Sequence, residues 1–486
     1  MSEINELPDF IVTSVNGNRR RAASRWITVE PVIFLAMIGY GTVGTTRTQY
    51  VRDRIAIDEY NYTFDDTNSS CNMNTSDHRY IIEQEIQSKA ATLTMLLSLC
   101  TYIPPLFSAI VIGTWSDNHR RKAALFSPVL GMTIQAAIYL AIISQDLPLE
   151  VAFGAELAGG IMGGLPLLLS GCLSYIADVT DTKHRMIRIV VVEVSMLLAV
   201  GGSQVGFGFL IELMGFIPPF YIVLSCLILA LLYITIPYVL IETIENHQYP
   251  ILFVLKFRTY CARCTCCLRT TPIRRSRLIA LGSIAFIQTL LISGYLNTVA
   301  LFGLDEPFCW TPDILGVFMA VSLAAGGIGL AISAKLFSLC LSDFWIIHIG
   351  NISLLFTMLT VSLANTTSLI FVSSLGGCLR TLGAPVVRAL MSKTVDETEQ
   401  GVMFSFQTSA EGVAMFASPL ILQSIYAATV EYDPHAAFYV ASVICTLPIF
   451  LTIFLQYKSY MESNSYNKMN TPGDLAAKIG SINENL

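Results

Sequence analysis

Residues 91–112 and 123–143 form two apolar runs separated by a short charged turn. Each is as long as the ~20 residues an α-helix needs to cross the hydrocarbon core of a bilayer. Such a run leaves the chain little choice of conformation. Lipid offers no partner to a bare N–H or C=O, and a helix satisfies both within one segment. The pattern recurs. Further runs at 29–50, 149–176, 187–210, 217–241, 278–302, 313–336, 344–364, 368–390, 402–429 and 436–457 bring the expected total to twelve transmembrane helices. Of the 486 residues, 13% are charged, against roughly 25% in a soluble domain. The expected fold class is an all-α membrane protein.

The charges are segregated, and this sets orientation. Arg19, Arg20, Arg21 and Arg25 precede the first run. Arg120, Arg121 and Lys122 follow the second, Lys183, Arg185 and Arg188 the fourth, and a basic stretch from Lys256 to Arg277 the sixth. Loops on the other side carry Asp146, Glu150, Glu212, Asp305, Glu306, Glu431 and Asp433. Short loops rich in Lys and Arg stay in the cytoplasm, so both termini are expected there. The polar start shows no cleavable signal peptide. The implied organisation is a tail (1–28), a six-helix half (29–241), a cytoplasmic linker (242–277), a second six-helix half (278–457) and a tail (458–486). Two such pseudo-symmetric halves hold a substrate site between them near the midplane. The net charge of −6 speaks against nucleic acid. No nucleotide loop, metal-ligand spacing or nucleophile triad is present, so an enzyme is not expected, nor a cofactor. A monomer is expected.

The loop 51–89 carries glycosylation sequons at Asn61, Asn68 and Asn74, which agrees with a lumenal or extracellular face. Cys71 lies in this loop and Cys309 in the loop after the seventh run. Both face the oxidising side, which predicts a Cys71–Cys309 disulfide between the halves. In the linker, Cys261-Ala-Arg-Cys264-Thr-Cys266-Cys267 fits palmitoylation, a zinc cluster, or plain reduced thiols.

Charges at membrane depth are costly and point to function. Glu193 sits in Ile189-Val-Val-Val-Glu193-Val, and a carboxyl that is neutral at one face and ionised at the other suits a proton carrier. A structural hydrogen bond to a neighbouring helix is the alternative. Arg388 cannot lose its proton and must find an anion, either a substrate or an internal carboxylate such as Glu193 or Glu411. Glu156 and Glu411 are further candidates for the substrate site. The mechanism this implies needs Glu193 and Arg388 to share a water-filled chamber. His348 reads as packing. The glycine runs Gly159–Pro166 and 324–329 are expected to loosen the fourth and eighth spans.

The turn Gly113-Thr-Trp-Ser-Asp117-Asn-His-Arg-Arg121 resembles the signature loop of the major facilitator superfamily, with Arg120 where that family usually has a second glycine. Gly113, Asp117 and Arg121 are thereby implied as a gating loop, with Asp117 able to reach a helix N-terminus. Further blocks resemble the solute carrier 46 family, the proton-coupled folate transporter and its relatives. They are Glu30-Pro-Val-Ile-Phe-Leu-Ala, Thr48-Gln-Tyr50, Ile176-Ala-Asp178-Val, Pro307-Phe-Cys-Trp310, Pro385-Val-Val-Arg388-Ala-Leu-Met-Ser-Lys393, Glu397-Thr-Glu-Gln-Gly401 and Ser424-Ile-Tyr-Ala-Ala-Thr429. The resemblance implies a proton-coupling role for Glu193, a cavity role for Arg388 and the Cys71–Cys309 disulfide. The folate member's fourth-span aspartate, fourth-span arginine and seventh-span histidine fall on Gly164, Glu156 and Ile292, so folate itself is not implied. The expected function is secondary active, proton-coupled transport of an organic anion or zwitterion of folate-like, cyclic-dinucleotide or muropeptide class. The alternatives are a facilitative carrier and a non-transporting sensor or accessory protein on a carrier frame. The protein is expected in the plasma membrane or in endosomes and lysosomes. Tyr466-Asn-Lys-Met469 and Tyr249-Pro-Ile-Leu252 fit tyrosine sorting signals.

Overall fold

A computed structural model describes residues 27–62, 78–181, 184–236, 240–242, 272–304, 308, 310, 312–396, 399–429 and 432–469. Among them the chain forms helices α1 (Glu30–Tyr60), α2 (His78–Asn118), α3 (Ala123–Ser144), α4 (Val151–Ile161), α5 (Gly164–Val179), α6 (Arg185–Met214) and α7 (Ile217–Thr235). The second half holds α8 (Pro272–Leu304), α9 (Pro312–Cys340), α10 (Asp343–Ser362), α11 (Thr367–Gly376), α12 (Gly383–Thr394), α13 (Gln400–Thr429) and α14 (Ala436–Met469). Ten segments, one of them the α4–α5 pair, are long and apolar enough to cross a bilayer. The other two expected spans correspond to α1, diluted by threonines and Arg47, and to the split pair α11–α12.

Two spans are broken, at matching places in the two halves. The fourth breaks at Gly163 (φ +100°) and Gly164 (φ +49°), left-handed backbone that glycine adopts without a Cβ penalty. The tenth, expected as one helix, breaks between Gly376 and Gly383. The eighth, expected to loosen at 324–329, is instead continuous as α9. Its Gly329 lets α9 press on the tenth-span break, where a Cβ would overlap the Cys378 carbonyl. In lipid, where apolar burial gives little drive, small residues that allow such close approach hold helices together.

The helices also outrun the expected spans. α1 continues to Tyr60 and α2 begins at His78, so most of the expected loop 51–89 is helical. The cause is charge pairing that hydropathy does not register. Arg54 bonds Asp58 one turn on (2.7 Å) and Asp146 (2.6 Å), and Lys89 of α2 pairs with Glu59 of α1. α8 starts within the expected linker, and α14 runs into the expected tail.

Within the first half α1 packs on α6 and α7, and α3 on α4 and α7; in the second, α8 packs on α13 and α14, and α10 on α14. The halves meet where α2 and α5 pack on α13, and α6 on α9 and α12. The larger apolar core runs across the halves through Leu281, Ile284, Val386 and Phe404. A separate core around Phe302, Trp310, Phe318 and Phe438 belongs to the second half.

Candidate functional site

Among the described residues, three of the buried charged clusters are stacked along the bundle. The first lies at the end carrying the 119–122 turn, cytoplasmic by the charge rule. Arg121, 2% exposed, reaches Asp178 with Nε (2.7 Å) and Nη2 (3.2 Å) and pairs with Asp117 through Nη1. The Asp117 carboxylate accepts the Val402 N–H and lies against Gly401, where a Cβ would overlap it. It therefore sits at the N-terminus of α13, the positive end of a helix dipole in the opposite half. Gly113 packs on Ser405 of the same helix. Further bonds cross the halves nearby: Arg185 Nη1 donates to Ser392 Oγ (2.8 Å), Ser405 Oγ to Ser170 Oγ (3.2 Å), and Thr408 Oγ1 to the Pro166 carbonyl (2.9 Å). These contacts join the two halves at this end.

The second cluster lies deeper. Arg388, on the second turn of α12, pairs with Glu193 of α6 through Nη1 and with Glu411 of α13 through Nη2 (2.6 Å). Gln407, one turn before Glu411, donates to its other oxygen (3.1 Å). All three charged side chains are buried. One guanidinium thus joins two carboxylates, one from each half. His348 packs in the second half, against Gln456 (3.1 Å).

The third cluster is in the first half. Glu156 of α4 is fully buried and accepts four hydrogen bonds. They come from Arg47 Nη1 (3.0 Å), Tyr139 Oη (2.6 Å), Gln135 Nε2 (2.7 Å) and Thr101 Oγ1 (2.6 Å). Arg47 and Glu156 line a cavity of about 360 Å³ together with Tyr40, Tyr102, Gln204 and Asn297, the last from α8 of the second half. That size fits a small organic molecule.

The structure therefore brings Glu193, Arg388 and Glu411 together and places Glu156 elsewhere. The expected water-filled chamber around Glu193 and Arg388 is not what joins them. They touch directly, each supplying the other's counter-charge, and neither lines the cavity. Arg47 is the residue that sequence reasoning missed. It sits one position before Thr48-Gln-Tyr50, and a charge at that depth was itself the signal. Asn61 is the exposed C-cap of α1 with φ 49°. Asn68, Asn74, Cys71, Cys309 and the 261–267 cysteines lie outside the described residues.

No family model matches the chain. It is 28% identical to the lysosomal proton-coupled steroid conjugate and bile acid symporter SLC46A3 of chicken (Gallus gallus), over 89% of this chain and 95% of that protein. It is 26% identical to the proton-coupled folate transporter of cattle (Bos taurus), over 88% and 92%. The chain is a homologue of the solute carrier 46 transporters. Its fold is that of the major facilitator carriers. The human organic anion transporter MFSD10 (TETRAN) superposes with a TM-score of 0.67 at 16% identity, over 89% of this chain and 99% of that one. The fucose:proton symporter FucP of E. coli gives 0.61 at 13%, over 88% and 97%. The solute carrier 46 homologues are transporters, not enzymes, and this one is a multi-pass membrane protein.

Proposed function

We propose that this solute carrier 46 homologue is a proton-coupled symporter of organic anions that works by alternating access. Its substrates belong to the classes its relatives are named for, steroid conjugates, bile acids and folates, and its acidic side is the lumenal or extracellular one. The observation that carries the reading is the pairing of Arg388 with two buried carboxylates, one from each half.

With both carboxylates ionised the cluster carries one surplus negative charge, and buried surplus charge is costly. A proton that joins the cluster with the substrate cancels it. Protonated Glu193 holds Arg388 less strongly, because a hydrogen bond to a neutral acceptor is weaker than one to an ion. That loosens a contact between the halves and lets them rock. When the proton leaves on the other side, the ion pair reforms and resets the carrier. Each pH unit supplies about 1.4 kcal/mol per proton, roughly tenfold accumulation for one-to-one electroneutral symport.

The test is uptake of labelled steroid sulfate, bile acid and folate at acidic and neutral lumenal pH, with Glu193→Gln as the variant. Uptake driven by a pH gradient should disappear in Glu193→Gln while exchange between the two sides persists. Full pH dependence in that variant would refute the coupling role.

A further inference from the structure

The cavity offers two charged side chains, and their surroundings differ in a way that assigns a task to one of them. Among the described residues that line it, Arg47 is the one cation and Glu156 the one carboxylate. Glu156 does not depend on Arg47 for its hydrogen bonds. Thr101, Gln135 and Tyr139 supply three neutral donors at 2.6–2.7 Å, enough to hold a buried carboxylate if the guanidinium leaves. Arg47 is less tightly held. Nη1 meets Glu156, Nη2 makes a 3.4 Å bond to Ser98, and the buried Nε has no hydrogen-bond partner. A buried N–H without an acceptor is a cost that a ligand oxygen would remove.

Arg388 has an unpartnered buried Nε too, and differs in its counter-ions. It is gripped by carboxylates on both sides, so drawing it to a substrate would strand two buried anions. Moving Arg47 frees only one, Glu156, and leaves it held by three neutral donors.

We infer that Arg47 is the head-group contact of the transported anion: its guanidinium turns from Glu156 to an oxyanion, a carboxylate or a sulfate, carried on an apolar ring body. The guanidinium fork matches the paired oxygens of either head. The rings of Tyr40 and Tyr102, whose hydroxyls lie 3.3 Å apart, stand beside it with Val43, Met132 and Leu227 to receive the apolar body. Specificity for charge then resides in the first half, and coupling to protons at the Arg388 cluster between the halves. This inference rests on the transport reading above but does not require the proton step.

The test is equilibrium binding to the purified full-length protein in lipid nanodiscs. The probes are a labelled steroid sulfate, the matching ring system with a carboxylate head, and the uncharged parent sterol. The wild-type protein should bind both anions at least about tenfold more tightly than the parent. Arg47→Gln should weaken both anions by about 10–100-fold, the worth of a charge-assisted hydrogen bond, and leave the parent unchanged. The double variant Arg47→Gln/Glu156→Gln removes both charges while keeping the neutral donors, and guards against a single variant that misfolds; it should lose the preference equally. Equal loss for all three probes, a preference that survives in either variant, or a wild-type protein without preference overturns the assignment. Flux driven by a pH gradient is read separately. A wild-type protein that prefers anions yet shows no pH-driven uptake would leave the head-group contact standing and sink the coupling.

Discussion

Asp117→Asn is the substitution that tests how the cytoplasmic end is held shut. Its bonds with Arg121 lie within the first half. Its contact with the N-terminus of α13 crosses to the second half and should be lost when the halves part at this end. Asparagine keeps the shape and removes the charge. Accepting the Val402 N–H with a neutral oxygen instead of an ion gives up about 1 kcal/mol. Losing the anion at the α13 dipole gives up about 1 kcal/mol more for a partly buried site. A shift of about 2 kcal/mol changes the ratio of closed to open carriers by about thirtyfold. The assay uses Ser405→Cys, a near-isosteric change at a fully buried seam position. A membrane-impermeant maleimide is applied from the cytoplasmic face, and modification is followed peptide by peptide in a mass spectrometer. The labelling rate should rise up to about thirtyfold in the Asp117→Asn background. Asp343→Asn is the control: Asp343 pairs with Lys393 within the second half (2.8 Å), and labelling should not change. An unchanged rate with Asp117→Asn in folded protein would refute the claim that this carboxylate closes the gate.

Trp310, 3% exposed and bonded through Nε1 to Thr367 Oγ1 (3.0 Å), anchors the second core; Trp310→Ala should cost about 3–5 kcal/mol, read as a lowered Tm in detergent. Gly329→Ala should cost about 1–3 kcal/mol by overpacking against the tenth-span break, and Gly282→Ala, with open space around its Cα, should not. Glu242 accepts the Arg121 and Lys122 N–H groups (2.7 and 3.3 Å) at the start of α3. Glu242→Ala should cost about 0.5–2 kcal/mol, as for other lost helix caps, in the same thermal assay.

What the sequence made legible was whatever follows from lipid as a solvent. Long apolar runs had to be helices, and clustered arginines had to stay on one side. Charge at membrane depth marked Glu193 and Arg388, the family resemblance implied roles for the same two, and the structure brings them into contact. Hydropathy failed where helices leave the bilayer, because the Arg54–Asp58 and Lys89–Glu59 pairs hold polar turns that read as loop. It also failed inside the tenth span. Leu375-Gly-Gly-Cys-Leu-Arg-Thr-Leu-Gly383-Ala-Pro385 echoes Gly159-Gly-Ile-Met-Gly-Gly-Leu-Pro166, but the apolar residues between the glycines hide the break. Arg380 settles that break: buried, it donates through Nη1 to the Ser374 and Gly377 carbonyls at the end of α11 (3.4 and 3.2 Å) and through Nη2 to Ser322 O and Oγ of α9 (2.9 and 2.8 Å), tying the broken end to the neighbouring helix. The partition of Glu156 from Arg388 depended on which helix faces meet, and spacing along the chain carries no trace of that.

One helix touches all three charged layers. α6 carries Arg185 at the cytoplasmic seam, Glu193 in the Arg388 cluster, and Val200 and Gln204 in the cavity wall. At 1.5 Å per residue these positions span about 28 Å along one rigid rod. Coupling between distant sites needs an element with two discrete arrangements that both sites bias, and α6, packed on α9 and α12 of the other half, fits that requirement. The consequence is measurable. Ser392→Ala removes the Arg185 bond and should raise Ser405→Cys labelling about fivefold, the worth of about 1 kcal/mol. Glu193→Gln should raise it through the loosened Arg388 pair. If α6 moves as one body between two arrangements, both changes bias the same equilibrium and their free energies add. The double variant should then match the product of the two effects to within about 0.5 kcal/mol. A Glu193→Gln change that leaves Ser405→Cys labelling where it was would mean that gate and proton site answer to different elements, and α6 would then be only a wall they share.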